Sequence, residues 1–161
     1  MKRLLYWLPA VLIMIMIYIF SSKPADISSQ SSMTITDVIY SVYETISGQE
    51  VVGADRENAL MNLNGIIRKL AHITEYALLS MSIAWPLWVT RPGLKGYKLA
   101  ILTIGITIVY AATDEYHQTF VPGRSGEIRD VLIDSIGACI GFVIFKLLLF
   151  IASFSKKDRN K

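Results

Sequence analysis

Cysteine and charge are both scarce in this 161-residue chain. Cys139 is the single cysteine, which excludes an intramolecular disulfide framework and any multi-cysteine metal site. It lies in an apolar stretch, where an unreactive structural thiol is expected. Internal repeats and low-complexity tracts are also missing, and the length allows one domain, residues 1–161. Only 18% of residues are charged against 53% hydrophobic, and the mean hydropathy is +0.45. The apolar residues fall into four blocks, which points to a membrane protein rather than a soluble one.

The first block, residues 4–20, carries no charge and would be about 25 Å long as a helix. Lys2 and Arg3 precede it as in a signal peptide, but Ser21-Ser22-Lys23-Pro24 offers no small-x-small cleavage site. An uncleaved transmembrane helix is expected, kinked at Pro9. The second block, 70–89, has His72 and Glu75 near its start and Pro86 near its end; the third spans 97–113. The fourth, 131–154, contains Asp134 and Lys146, and it spans if Lys146 snorkels and the acid faces protein. The fold class expected is all-α, an integral membrane bundle of four transmembrane helices with an extracytoplasmic amphipathic helical loop at 21–67.

The net charge of +3 is sorted by position. With both termini and the 91–98 loop on one side, that side holds Lys2, Arg3, Arg91, Lys95, Lys98, Lys146, Lys156, Lys157, Arg159 and Lys161 against one acid, Asp158. The other side holds the six remaining bases and twelve acids. The positive-inside rule then puts both termini in the cytoplasm. Topology accounts for the basic termini, so no nucleic-acid partner is expected, and Trp7, Trp85 and Trp88 read as interfacial anchors.

In the 21–67 segment a serine-rich, turn-forming start (Ser28, Ser29, Ser31, Ser32) precedes apolar residues at Ile35, Val38, Ile39, Val42, Tyr43 and Ile46, a helical spacing. Such a helix would cap the bundle or lie on the outer leaflet; its acidic polar face favours capping.

With this topology the polar intramembrane groups converge at the outer face. Arg68, His72 and Glu75 form one helical stripe, as do Asp114, His117 and Gln118. On the fourth helix Asp130 and Asp134 share a stripe with Gly137 and Gly141, a small-xxx-small pair that should turn the acids into the bundle. The same pair is also a candidate surface for a homo-oligomer. Val121-Pro122-Gly123-Arg124 reads as a turn with Pro and Gly at its centres, aiming Arg124 back at the helix ends.

The runs Arg68-Lys69-x-x-His72-x-x-Glu75-Tyr76-Ala77-Leu78-Leu79 and Asp114-Glu115-x-x-Gln118-x-Phe120-x-x-Gly123-Arg124, followed by Asp130 and Asp134, resemble the VanZ family, as does Phe20-Ser21-Ser22 after the first helix. The resemblance covers nearly the whole chain, and His117 lies outside it. It implies a small multi-pass protein of the bacterial cytoplasmic membrane. It also implies a context of resistance to the glycopeptide teicoplanin, without change to the peptidoglycan precursor termini. It supplies no mechanism.

Four readings of the cluster follow from its chemistry. Salt bridges of Glu75, Asp114, Glu115, Asp130 and Asp134 with Arg68, Lys69, Arg124, Arg129 and His72 would lock the helices, although these ten groups exceed what locking requires. Alternatively, the cluster binds an outer-leaflet lipid head or lipid-linked wall precursor. Arg68, Lys69 and Arg124 would then hold phosphate, with Gln118, Asp130 and Asp134 completing the ligand shell. In a third reading His72, Glu75, Asp114 and Glu115 are catalytic. His72 would serve as general acid or base oriented by Glu75 or Asp114, or the acids would hold a divalent metal. Cofactor identity stays open. Transport is disfavoured, because no paired broken helices appear and no acids continue toward the cytoplasm.

Overall fold

The structure, a computed structural model, describes residues 2–48 and 52–158. It is all-helical over those residues: α1 (Lys2–Leu5), α2 (Leu8–Ser21), α3 (Ala25–Ser47), α4 (Ala54–Thr90), α5 (Gly96–Gln118) and α6 (Ile128–Asp158). Among the described residues three stretches are long and apolar enough to cross a membrane: Arg3–Ser21, Gly96–Gln118 and Ile128–Phe154. Pro9 begins a helix rather than kinking one. It occupies the first turn of α2, where a missing N–H is harmless, and the chain turns at Tyr6 and Trp7 to separate α1 from α2.

The helix expected over 70–89 is far longer. α4 has 37 residues, about 55 Å, so its first turns extend well beyond the apolar block. It is the central element, packed against α2, α3, α5 and α6. That position explains why it is less apolar than α2, α5 and α6. Tyr76, Leu79, Ser80, Ile83 and Ala84 are fully or almost fully buried, and the surrounding helices present Leu12, Ile101, Leu102, Ile140 and Val143 outward. Cys139 is a free thiol exposed on α6 near Ile136 and Ile140. The core joins Ala10 and Ile17 of α2, Leu99 and Ala111 of α5, and Phe142 and Phe145 of α6 to the α4 residues. Tyr110 Oη of α5 donates to the Met14 carbonyl of α2 at 2.6 Å.

Residues 21–67 do not form one loop with a single helix. α3 and the first turns of α4 make a helical hairpin, and the serine-rich stretch is the start of α3 rather than a turn. Ser31 and Ser32 donate to carbonyls one turn back. α3 packs against α4 with its polar side turned inward. Thr36 and Tyr40 are buried, whereas Ile35, Val38, Ile39, Val42, Tyr43 and Ile46 are exposed. Hydrogen bonds make the inner seam: Thr36 Oγ1 donates to Asn64 Oδ1 at 3.2 Å, and Asn64 Nδ2 donates to Ser29 Oγ at 3.1 Å. Arg56 of α4 lies over the Tyr40 ring and 3.6 Å from Glu44.

α6 meets α4 backbone to backbone at Gly137 and Gly141. A Cβ on Gly137 would strike the Ile73 carbonyl, and one on Gly141 the Ala77 carbonyl. The two glycines therefore serve the close contact of α6 with α4 inside the chain. Gly141→Val is expected to destabilise the bundle by about 1–3 kcal/mol through overpacking. Gly105, with open space around its Cβ position, should tolerate Ala and gain about 0.5–1 kcal/mol of helix stability. Thermal unfolding in detergent compares the two; equal melting of Gly141→Val and wild type would contradict the contact.

Candidate functional site

The last turn of α5 and the following loop make a buckle that closes one end of the bundle. Gln118 and Asp114 share a helical stripe. Gln118 Nε2 donates to Asp114 Oδ2 at 3.2 Å and to Glu115 Oε1 at 2.9 Å. Its Oε1 accepts from Arg124 Nη1 at 2.8 Å. Arg124 is aimed there by the expected turn: its N–H donates to the Val121 carbonyl at 3.1 Å, and Gly123 takes φ +74°. From that turn Arg124 Nε reaches the Lys23 carbonyl at 3.0 Å and Nη2 the Phe20 carbonyl at 3.4 Å. Ala25 N–H donates to the Pro122 carbonyl at 3.2 Å. The α2–α3 corner and the α5–α6 corner are thus tied together. Glu115 Oε2 accepts the Glu127 N–H at 3.1 Å just before α6.

Two pockets open beside this buckle. The first, about 330 Å³, lies among α2, α3 and α4. Ile17, Phe20, Ile35, Ile67 and Ala71 give it apolar walls, and Arg68, His72, Glu75, Asp114 and Arg124 line it as well. The second, about 300 Å³, lies between α4 and the start of α6 and is more polar, with Arg68, Lys69, His72, Glu127, Arg129, Asp130 and Asp134. Arg68 and His72 line both.

Opposite charges in these pockets mostly do not pair. Among the described residues the two ion pairs are Arg56–Glu44 and His72–Asp134, the latter with Nδ1 3.7 Å from Oδ1. That distance is too long for a hydrogen bond. Both Asp134 oxygens, Asp114 Oδ1 and His72 Nδ1 are buried with no hydrogen-bond partner among the described residues. Asp114 uses only its other oxygen, which accepts from Tyr76 Oη at 3.3 Å as well as from Gln118. Burial, and after it the like charge of Arg68, pushes the Arg124 guanidinium below its ordinary range. Two guanidinium groups therefore face one pocket without a carboxylate at ion-pair distance.

The residues expected from sequence separate into three places. Glu75, Asp114 and Arg124 line the first pocket, Lys69, Asp130 and Asp134 the second, and Arg68 and His72 both. Glu115 and Gln118 line neither; they are buried at 4% and 5% exposure, with their polar atoms used in the buckle. The carboxylate nearest His72 is Asp134 rather than Glu75 or Asp114. His117 stacks on Tyr18 and meets Ser22 Oγ at 3.1 Å, away from both pockets. Sequence reasoning missed Ser21, Ser28, Ser31 and Ser32 in the first pocket, because the course of α3 was not visible. Among the described residues no three His, Cys, Asp or Glu side chains are placed to hold a metal ion, so the metal reading has no donor set here.

The VanZ/LLP1 family profile matches residues 6–150, and the chain belongs to that family. No curated protein and no solved structure matches it. With three apolar spanning helices, it is a multi-pass membrane protein.

Replacing Gln118 by Leu would leave the buried Asp114 and Glu115 carboxylates short of donors. A loss of about 1–3 kcal/mol is expected. Thermal unfolding checks it, with Tyr116→Phe, an exposed neighbour, as the unaffected control.

Proposed function

We propose that the first pocket binds the polar head of an outer-leaflet lipid or a lipid-linked wall precursor, with the adjoining chain against its apolar walls. The observation that carries this reading is that, among the described residues, neither Arg68 nor Arg124 has a carboxylate at ion-pair distance, although both line an apolar pocket. A bound phosphate would supply the missing partner through charge-assisted bonds. Glu75 and the free Asp114 Oδ1 would take hydroxyl or amide groups of the ligand. Influence on teicoplanin susceptibility would follow from altered access to the wall precursors that glycopeptides bind.

The same reading sets the membrane topology. α4 is the fourth crossing, since a helix enclosed by α2, α5 and α6 tolerates His72 and Glu75 where a lipid-facing one would not. Both termini lie in the cytoplasm of a bacterial cell, as the basic residues favour. The exposed apolar side of α3 then rests on the outer leaflet.

A second reading is supported by the His72–Asp134 pair. A histidine between two pockets, backed by a buried carboxylate, is the arrangement of a general acid or base for hydrolysis or group transfer on a lipid head.

Mass spectrometry of lipids incubated with the purified protein separates the readings. Wild type should retain a phosphorylated lipid, and Arg68→Gln should bind it about 10- to 100-fold more weakly, the worth of one charge-assisted contact. Among the described residues Arg68 makes no hydrogen bond or ion pair, so its loss should leave folding intact. A lipid species consumed or formed with wild type but not with the Glu75→Gln, Asp114→Asn double variant would establish turnover. Retention of no lipid by wild type would overturn both readings.

A further inference from the structure

The second pocket has its own chemical logic, although it shares Arg68 and His72 with the first. Asp134 forms its buried end: the residue is 1% exposed, lines the cavity, and neither carboxylate oxygen has a hydrogen bond. The nearest basic side chain, His72, has its ring nitrogen 3.7 Å away, and that nitrogen has no hydrogen-bond partner among the described residues. Buried carboxylates are otherwise bonded, and an exception marks a missing partner. Asp130, half-buried one turn earlier on α6, lines the same cavity. Nearer the surface three bases outnumber one acid: Lys69, Arg129 and Glu127 are exposed and Arg68 is half-buried. Among the described residues none of the three is within ion-pair distance of an acid. Acidic depth and a basic mouth, each unpaired, coexist in about 300 Å³.

A single ligand meets both needs if it carries a cation at one end and an anion at the other. An ammonium group offers three donors and no acceptor, which suits the vacant oxygens of Asp134. Three basic side chains around one mouth suit a phosphate, with its several acceptor oxygens, better than a carboxylate with two. We infer that the cleft between α4 and α6 is a binding site for a small zwitterion, a primary ammonium a few bonds from a phosphate. Its ammonium sits on Asp134 and its phosphate between Lys69, Arg129 and Arg68. Such a group occurs as a free phosphorylated amine and as the head of an aminophospholipid, and the cleft recognises the part common to both.

Equilibrium dialysis of full-length protein in phosphatidylglycerol nanodiscs, with phosphoethanolamine as probe, tests the site. Saturable binding is expected, with ethanolamine alone and inorganic phosphate alone each at least tenfold weaker. Asp134→Asn and Lys69→Ala should each weaken the probe tenfold or more. Lys69 is exposed and has no ion pair among the described residues, so that variant should melt like wild type. Phosphatidylethanolamine nanodiscs that compete with the probe identify the lipid head as the source; the absence of competition identifies the free amine. No saturable binding, equal binding by Asp134→Asn, or equal binding of alanine in place of the probe would overturn the inference. Lipid retention by the first pocket, read separately in the same preparations, keeps failure here distinct from failure of the proposed function.

Discussion

Backbone contact between α4 and α6 is the constraint from which the site follows. Helices in lipid gain nothing by burying apolar surface against one another, so they associate through close packing and internal polar bonds. Gly137 and Gly141, one turn apart, let α6 settle on the carbonyls of Ile73 and Ala77, also one turn apart. Asp134 lies one turn before Gly137 on the same stripe, and the contact carries it into the interior beside His72. With a bulky residue at either glycine, α6 would stand off and Asp134 would reach lipid or water. The second pocket exists because the contact tightens along the glycines and opens where the stripe changes to acids.

The buckle solves a different problem. Three helix ends and a short loop bring Asp114, Glu115, Gln118 and Arg124 to the same level, where unsatisfied charge is costly. Gln118 has both a donor and an acceptor on one short amide, so it joins two carboxylates to a guanidinium without adding charge. Arg124 then holds the α2–α3 corner through backbone carbonyls rather than through an acid. Its cationic charge is held in place but not neutralised. That distinction separates this cluster from a set of locking salt bridges, in which the acids and bases would consume one another.

Much of this was legible in the sequence because it rests on short-range periodicity. The apolar blocks, the Val121–Arg124 turn and the inward stripe of Asp134 with Gly137 and Gly141 all follow from local spacing. What was hidden is tertiary. α3 has a plain amphipathic spacing, yet Thr36 and Tyr40 are the buried residues, since Asn64 and Arg56 of α4 offer polar partners that spacing cannot reveal. The helical state of residues 54–67 was likewise obscured, because a helix that continues beyond the apolar block carries no hydropathy signal. Glu115 and Gln118 looked like site residues because they stand beside Asp114, and only their hydrogen bonds show that they are committed elsewhere. His72 could not be assigned a partner from spacing alone, since Asp134 lies sixty-two positions away on another helix.

Arg68 and His72 stand in the wall between two pockets of unlike character, and this arrangement limits what the site can do. A ligand in the apolar pocket and another in the polar cleft would face each other across the same two side chains. Arg68 cannot give its full guanidinium fork to both at once, so phosphate groups on the two sides compete for it. His72, whose Nδ1 is turned toward Asp134, keeps its position as long as α6 stays seated on α4. The close helix contact therefore does more than hold the bundle together. It fixes the one titratable ring common to both pockets, and any conversion of one ligand by the other would have to pass through that wall.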